Sequence, residues 1–161
     1  MQVLHTIAIV LHASSAAGAF LVGVVLLFQS KTLRQLQLAR GVVVLLMLME
    51  VFLVVAILSH LTSVATIIQL IFGGLAILGL YMIWRALQAL SVLREHPGNQ
   101  GAVIDHIGFV LISLFDGFAI VTATDLQAPG WLVAVVAVGA VALGISAINL
   151  RKKTLTLGRF R

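Results

Sequence analysis

Residues 41–60 read GVVVLLMLMEVFLVVAILSH, and Glu50 is the one formal charge among them. At 1.5 Å per residue, an apolar run of this length makes a helix that crosses a hydrocarbon core of about 30 Å. The run does not alternate between apolar and polar residues as a barrel strand must. Working outward from Gly41–His60, four further runs have the same character: Leu4–Phe28, Val64–Trp84, Ile104–Leu126 and Gly130–Leu150. The reading is an all-α polytopic membrane protein with five transmembrane helices in one bundle, a single domain over residues 1–161.

Composition agrees. Of 161 residues, 61% are apolar and 9% charged, and mean hydropathy is +1.19. A soluble domain carries about a quarter charged residues and could not bury this much apolar surface. Disordered and coiled-coil readings fail on the same numbers. The chain has no cysteine, which removes disulfides, thiolate metal sites and thiol nucleophiles. The first run has no basic residue ahead of it, so it reads as a retained span and not a cleaved leader.

Charge sets the expected orientation. Lys31, Arg34 and Arg40 lie between the first two runs, Arg85 and Arg94 between the third and fourth, and Arg151, Lys152, Lys153, Arg159 and Arg161 after the fifth. With five spans, all ten basic residues fall on one side, which the positive-inside rule makes cytoplasmic. The N-terminus is then outside and the C-terminus inside. The net charge of +5 is assigned to attraction by the cytoplasmic leaflet, with no nucleic-acid partner. Residues 95–103 form the expected cytoplasmic loop, and Pro129-Gly130 an outer turn. Arg85–Glu95 keeps helix-forming composition and is expected to prolong the third helix or lie along the interface.

Two acids fall deep in the apolar runs. Glu50 and Asp116 lie about 13–15 Å below the outer surface, His12 about 10–12 Å, and Gln69 somewhat shallower. An ionised carboxylate at this depth costs at least ~2.5–3.5 kcal/mol, so both acids should face the bundle interior. With no Lys or Arg in that layer, at least one of the two is expected to hold its proton at neutral pH, or to share one with His12. His12, Glu50, Asp116 and Gln69 thus form a candidate midplane cluster, either a proton or cation path or a structural hydrogen-bond cluster. Asp116→Leu is expected to destabilise more than Asp116→Asn, provided partners across the bundle satisfy the group.

His5 shares a helix face with His12, and His5, His60 and Asp125 would continue the cluster outward. Metal binding is undetermined. A b-type haem would need two histidines on different helices at one depth; His5 and His60 meet that condition near the outer boundary, although interfacial hydration explains them more simply. Glu95, His96, Asp105 and His106 bracket the 95–103 loop without metal-site spacing, and Asp105 is read as a helix cap. Tyr81, Trp84 and Trp131 suit interfacial belts, and Arg85 suits a headgroup anchor. Ser15, Ala19 and Gly23, and Ala140 and Gly144, recur every four residues and mark packing faces, and Gly73, Gly74 and Gly79 either do the same in the third run or allow a local bend.

Leu11-His12, then Tyr81 with Trp84-Arg85-Ala86-Leu87, and Asp105 opening the fourth run give a layout that resembles a loose group of small uncharacterised bacterial multi-span membrane proteins. This chain departs from that group in having no histidine between Lys31 and Arg40. The resemblance implies a bacterial inner membrane and carries no mechanism. The loops are too short for a soluble active site, and no catalytic constellation is legible. The expected function is a non-enzymatic accessory or assembly subunit, packed against lipid and other transmembrane helices of its own copies or of a larger complex. The alternatives are a proton or cation channel or transporter and, third, a haem protein.

Overall fold

In the computed structural model, which describes residues 2–29, 31–60 and 66–158, five α-helices account for nearly all of the chain. They are α1 (Gln2–Phe28), α2 (Thr32–His60), α3 (Thr66–Glu95), α4 (Gln100–Asp125) and α5 (Gly130–Gly158). Each is long and apolar enough to cross a membrane. Lengths of 26–30 residues exceed the roughly 20 that a bilayer requires, so the helices outrun their apolar runs. The excess is mostly polar sequence. Thr32–Arg40 forms the first turns of α2, and Arg85–Glu95 continues α3 without a break. The 95–103 loop contracts to His96–Asn99, because α4 begins at Gln100.

The cap of α4 is Asn99, whose side chain accepts from the Ala102 amide at 3.2 Å. Asp105 lies one full turn inside the helix and does not cap it; its carboxylate pairs instead with Lys152 of α5. At the other end of α4, Gln127 adopts φ 55° and Ala128 N–H reaches back to Ala123 O at 3.0 Å. This left-handed stop with its six-to-one bond, followed by Pro129, turns the chain into α5.

Helices α1 to α4 form a ring in which α1 packs on α2, α2 on α3, α3 on α4 and α4 back on α1. Helix α5 stands outside that ring, on α4. Lipid offers apolar side chains no reason to cluster, so close backbone approach and van der Waals fit have to hold the bundle. The small residues supply that approach. Gly23 of α1 is filled by Leu111 of α4, and between α4 and α5 Gly108 receives Ile148 while Gly144 receives Ile112. Among the described residues, nothing lies within 4 Å of where a Cβ on Gly73 or Gly74 would stand. The densest core lies toward the end that carries the basic residues, where Val42, Leu46, Ala86, Ala89, Ile107 and Val110 are sealed from contact with the surroundings. Fewer side chains are buried toward the far end, where Ala8, Ala56 and Ala123 stand out among the described residues.

Candidate functional site

His12 is half-buried on α1, and its Nδ1 lies 2.8 Å from the Met49 carbonyl of α2. A carbonyl only accepts, so Nδ1 carries the hydrogen in this bond. Seven residues earlier, His5 makes the same contact one register up: Nδ1 donates to Ala56 O at 3.1 Å, with Ser59 Oγ at 3.2 Å. Ser59 Oγ itself donates to Ala56 O at 2.8 Å. Met49 and Ala56 are also seven apart, so two imidazoles at heptad spacing tie α1 to α2.

Glu50 follows Met49 and is 6% exposed. Its carboxylate lies against Gly79 of α3, where a Cβ would overlap it. Oε2 is buried and has no hydrogen-bond partner among the described residues, and the same holds for Asp116 Oδ1 on α4. Both acids therefore turn polar atoms into the protein, as their cost in lipid requires, but among the described residues neither is tied to the other or to a cation. Asp116 as a whole is half-buried, beside a Phe20–Phe115 stack at 6.4 Å and a Phe20–Phe118 edge contact at 6.2 Å on its own helix and α1.

His12 on α1 thus meets α2 at Met49, the residue before Glu50, whereas Asp116 joins neither by any contact among the described residues. No three His, Cys, Asp or Glu among those residues stand close enough to hold a metal ion. Gln69 is half-buried on α3 and makes interactions of its own. Asp125 ends α4 in an exposed position. The side chain of His60 falls outside the described residues, and with it the haem pairing with His5.

Compared with protein-family models, curated proteins and solved structures, this chain matches none of them.

Toward the basic end, Tyr81 and Trp84 are partly exposed and tilt together at 5.3 Å, and Tyr81 meets Phe109 edge-on at 5.1 Å. Trp131 is exposed at the start of α5. Arg85 turns inward: Nη2 donates to Asp105 O at 2.8 Å and the guanidinium lies 5.3 Å from the Phe109 ring. Its Nε and the Nδ1 of His106 are buried without partners among the described residues.

One polar contact escapes sequence reading. Gln35, 3% exposed, and Gln100 exchange amide bonds, Gln35 Nε2 to Gln100 Oε1 at 3.0 Å and Gln100 Nε2 to Gln35 Oε1 at 3.1 Å. The pair bolts the start of α2 to the start of α4, both of which read as loop from hydropathy alone.

Proposed function

We propose that this chain is a multi-pass protein of a bacterial inner membrane, with its basic end in the cytoplasm, acting as a non-enzymatic accessory or assembly subunit. Helix α5 is its docking wall. The supporting observation is that only 6% of the apolar window of α5 is buried within the chain, against 22–33% for the other four helices. Trp131, Val135, Val138, Ala142, Ile145 and Asn149 recur at helical spacing along the side facing away from α4, and all are exposed. Small and β-branched residues with a polar amide at one end suit a second transmembrane helix.

Purification in mild detergent, with mass determination of the particle and of any chain that accompanies it, tests the reading. A homo-oligomer or a stable partner, lost on Ala142→Trp, is the expected result. A monomer without a companion, in lipid nanodiscs as in detergent, overturns it. For orientation, Ala128→Cys should label from outside intact cells and Gly98→Cys only after permeabilisation.

A second reading, proton or cation transport, draws on the unpartnered Oε2 of Glu50. An acid held inside the bundle, on the helix whose Met49 carbonyl meets His12, is suited to taking up and releasing a proton. The sealed core between this level and the basic end argues against an open path through the bundle. Liposome flux separates the two: unchanged proton and cation flux across several gradients removes this reading.

A further inference from the structure

A groove runs between α1, α4 and α5 on the side of the bundle where α5 fails to close against α1. Its volume is about 340 Å³, within the range of ligand pockets, and every residue that lines it except Arg151 is apolar. Phe20 and Leu143 mark one end and Phe28 and Arg151 the other. Eight residues of helix separate those levels, about 12 Å, close to the half-thickness of a hydrocarbon core. The groove is therefore about as long as the hydrocarbon of one leaflet is thick, with its one charged residue at the basic end.

Arg151 is held in place there. Its Nε and Nη2 both donate to the Leu27 carbonyl, at 3.2 and 3.1 Å, and its guanidinium lies 5.1 Å from the Phe28 ring. Those bonds use two of five N–H groups and leave the charge uncompensated. Among the described residues, no carboxylate pairs with Arg151, whereas the next cation, Lys152, is paired with Asp105. Lys153 adds a further exposed charge. A fixed guanidinium with no carboxylate partner among the described residues, at the end of an apolar slot about 12 Å long, is complementary to an anionic amphiphile.

We propose that the α1–α4–α5 groove binds an anionic phospholipid of the leaflet at the basic end, with one acyl chain lying along Phe20, Leu111 and Ala147 and the phosphate on Arg151. The apolar walls recognise the chain and Arg151 recognises the charge. Because the guanidinium is already fixed by Leu27, little side-chain freedom remains to be lost on binding. The groove lies on the opposite side of α5 from the proposed docking wall, so lipid and partner do not compete.

Native mass spectrometry of the full chain, released from nanodiscs of equal phosphatidylglycerol and phosphatidylcholine with identical acyl chains, reads both parts. The wild type should retain one phosphatidylglycerol with a preference of about fivefold, the factor expected of one basic side chain at an anionic headgroup. Arg151→Gln should bring that preference to unity while still retaining a lipid of either kind. Ala147→Phe, which fills the slot from an exposed position on α5, should lower both adducts, with thermal unfolding showing that the bundle is intact. Equal retention of the two lipids by the wild type overturns the proposal. An unchanged preference in Arg151→Gln, or an unchanged adduct count in Ala147→Phe, does so as well. If Arg151→Gln does not fold, Ala147→Phe decides alone.

Discussion

The carboxylate of Glu50 on α2 is seated against Gly79 of α3, in space that a side chain on α3 would otherwise fill. An acid near the middle of a span and a glycine on the next helix are therefore one feature. Gly79→Ala should push the flexible Glu50 carboxylate out of that seat and destabilise the bundle by no more than about 1–3 kcal/mol, the range of overpacking. Glu50→Gln has the same shape and should leave that cost in place, whereas Glu50→Ala should relieve it. A double-mutant cycle read by unfolding in detergent checks this; additive effects would mean that the two positions do not meet in solution.

His12 tests the seam between α1 and α2. Removing its bond to Met49 O with His12→Leu should destabilise by about 0.6 kcal/mol and no more than about 1.7, the span measured for side-chain hydrogen bonds in membrane helices. The Met49 carbonyl keeps its own helical bond, so no orphan is created. A loss of several kcal/mol in the same unfolding experiment would mean that the imidazole does more than tie the helices.

Asp116 turns one sequence-based expectation around. The sequence alone makes Asp116→Leu cost more than Asp116→Asn on the condition that partners across the bundle satisfy the acid, and among the described residues Oδ1 has none. Without partners to orphan, Asp116→Leu should unfold at the same temperature as Asp116→Asn or higher. Thermal unfolding of the two variants side by side gives the answer. A clearly less stable Leu variant would reveal a hydrogen-bonded partner for Asp116.

The spans are legible in the sequence because lipid imposes one demand, continuous apolar helix, that hydropathy reads directly. The inward facing of Glu50 and the use of Gly23 and Gly144 as contact points follow from the same demand. What hydropathy cannot read is polar helix that prolongs an apolar run. Thr32–Arg40 and Gln100–Val103 carry too much polarity to register as span, so the Gln35–Gln100 bolt stayed out of sight. Nor does residue depth reveal azimuth. Glu50 and Asp116 share a layer, but Glu50 turns to α3, and only the packing of the ring fixes such directions.

The Gln35–Gln100 pair gives its own prediction. Gln35→Leu leaves half of the Gln100 amide unpaired and should destabilise by about 1–3 kcal/mol. Replacing both with Leu removes both amides and should recover part of that loss, because the Gln29 and Pro97 carbonyls that they also serve each lose a donor. Full additivity of the single variants would show that the amides do not bond across α2 and α4.

Gln127 closes α4 at φ 55°, a conformation in which an L side chain crowds the carbonyl that follows it. Glycine has no such penalty, although its unfolded chain is freer and offsets part of the gain. The left-handed cost of about 1–2 kcal/mol exceeds the glycine entropy cost of about 0.5–1 kcal/mol, so the net sign is stabilising. Gln127→Gly should therefore raise the unfolding temperature slightly, and Gln127→Val, branched at Cβ, should lower it by more. The position is exposed, and the Gln127 side chain lends nothing to the core that its loss would remove. The ordering Gly above Gln above Val, measured by thermal unfolding in one detergent, is the expected outcome; Val equal to Gln would mean that the turn relaxes to negative φ.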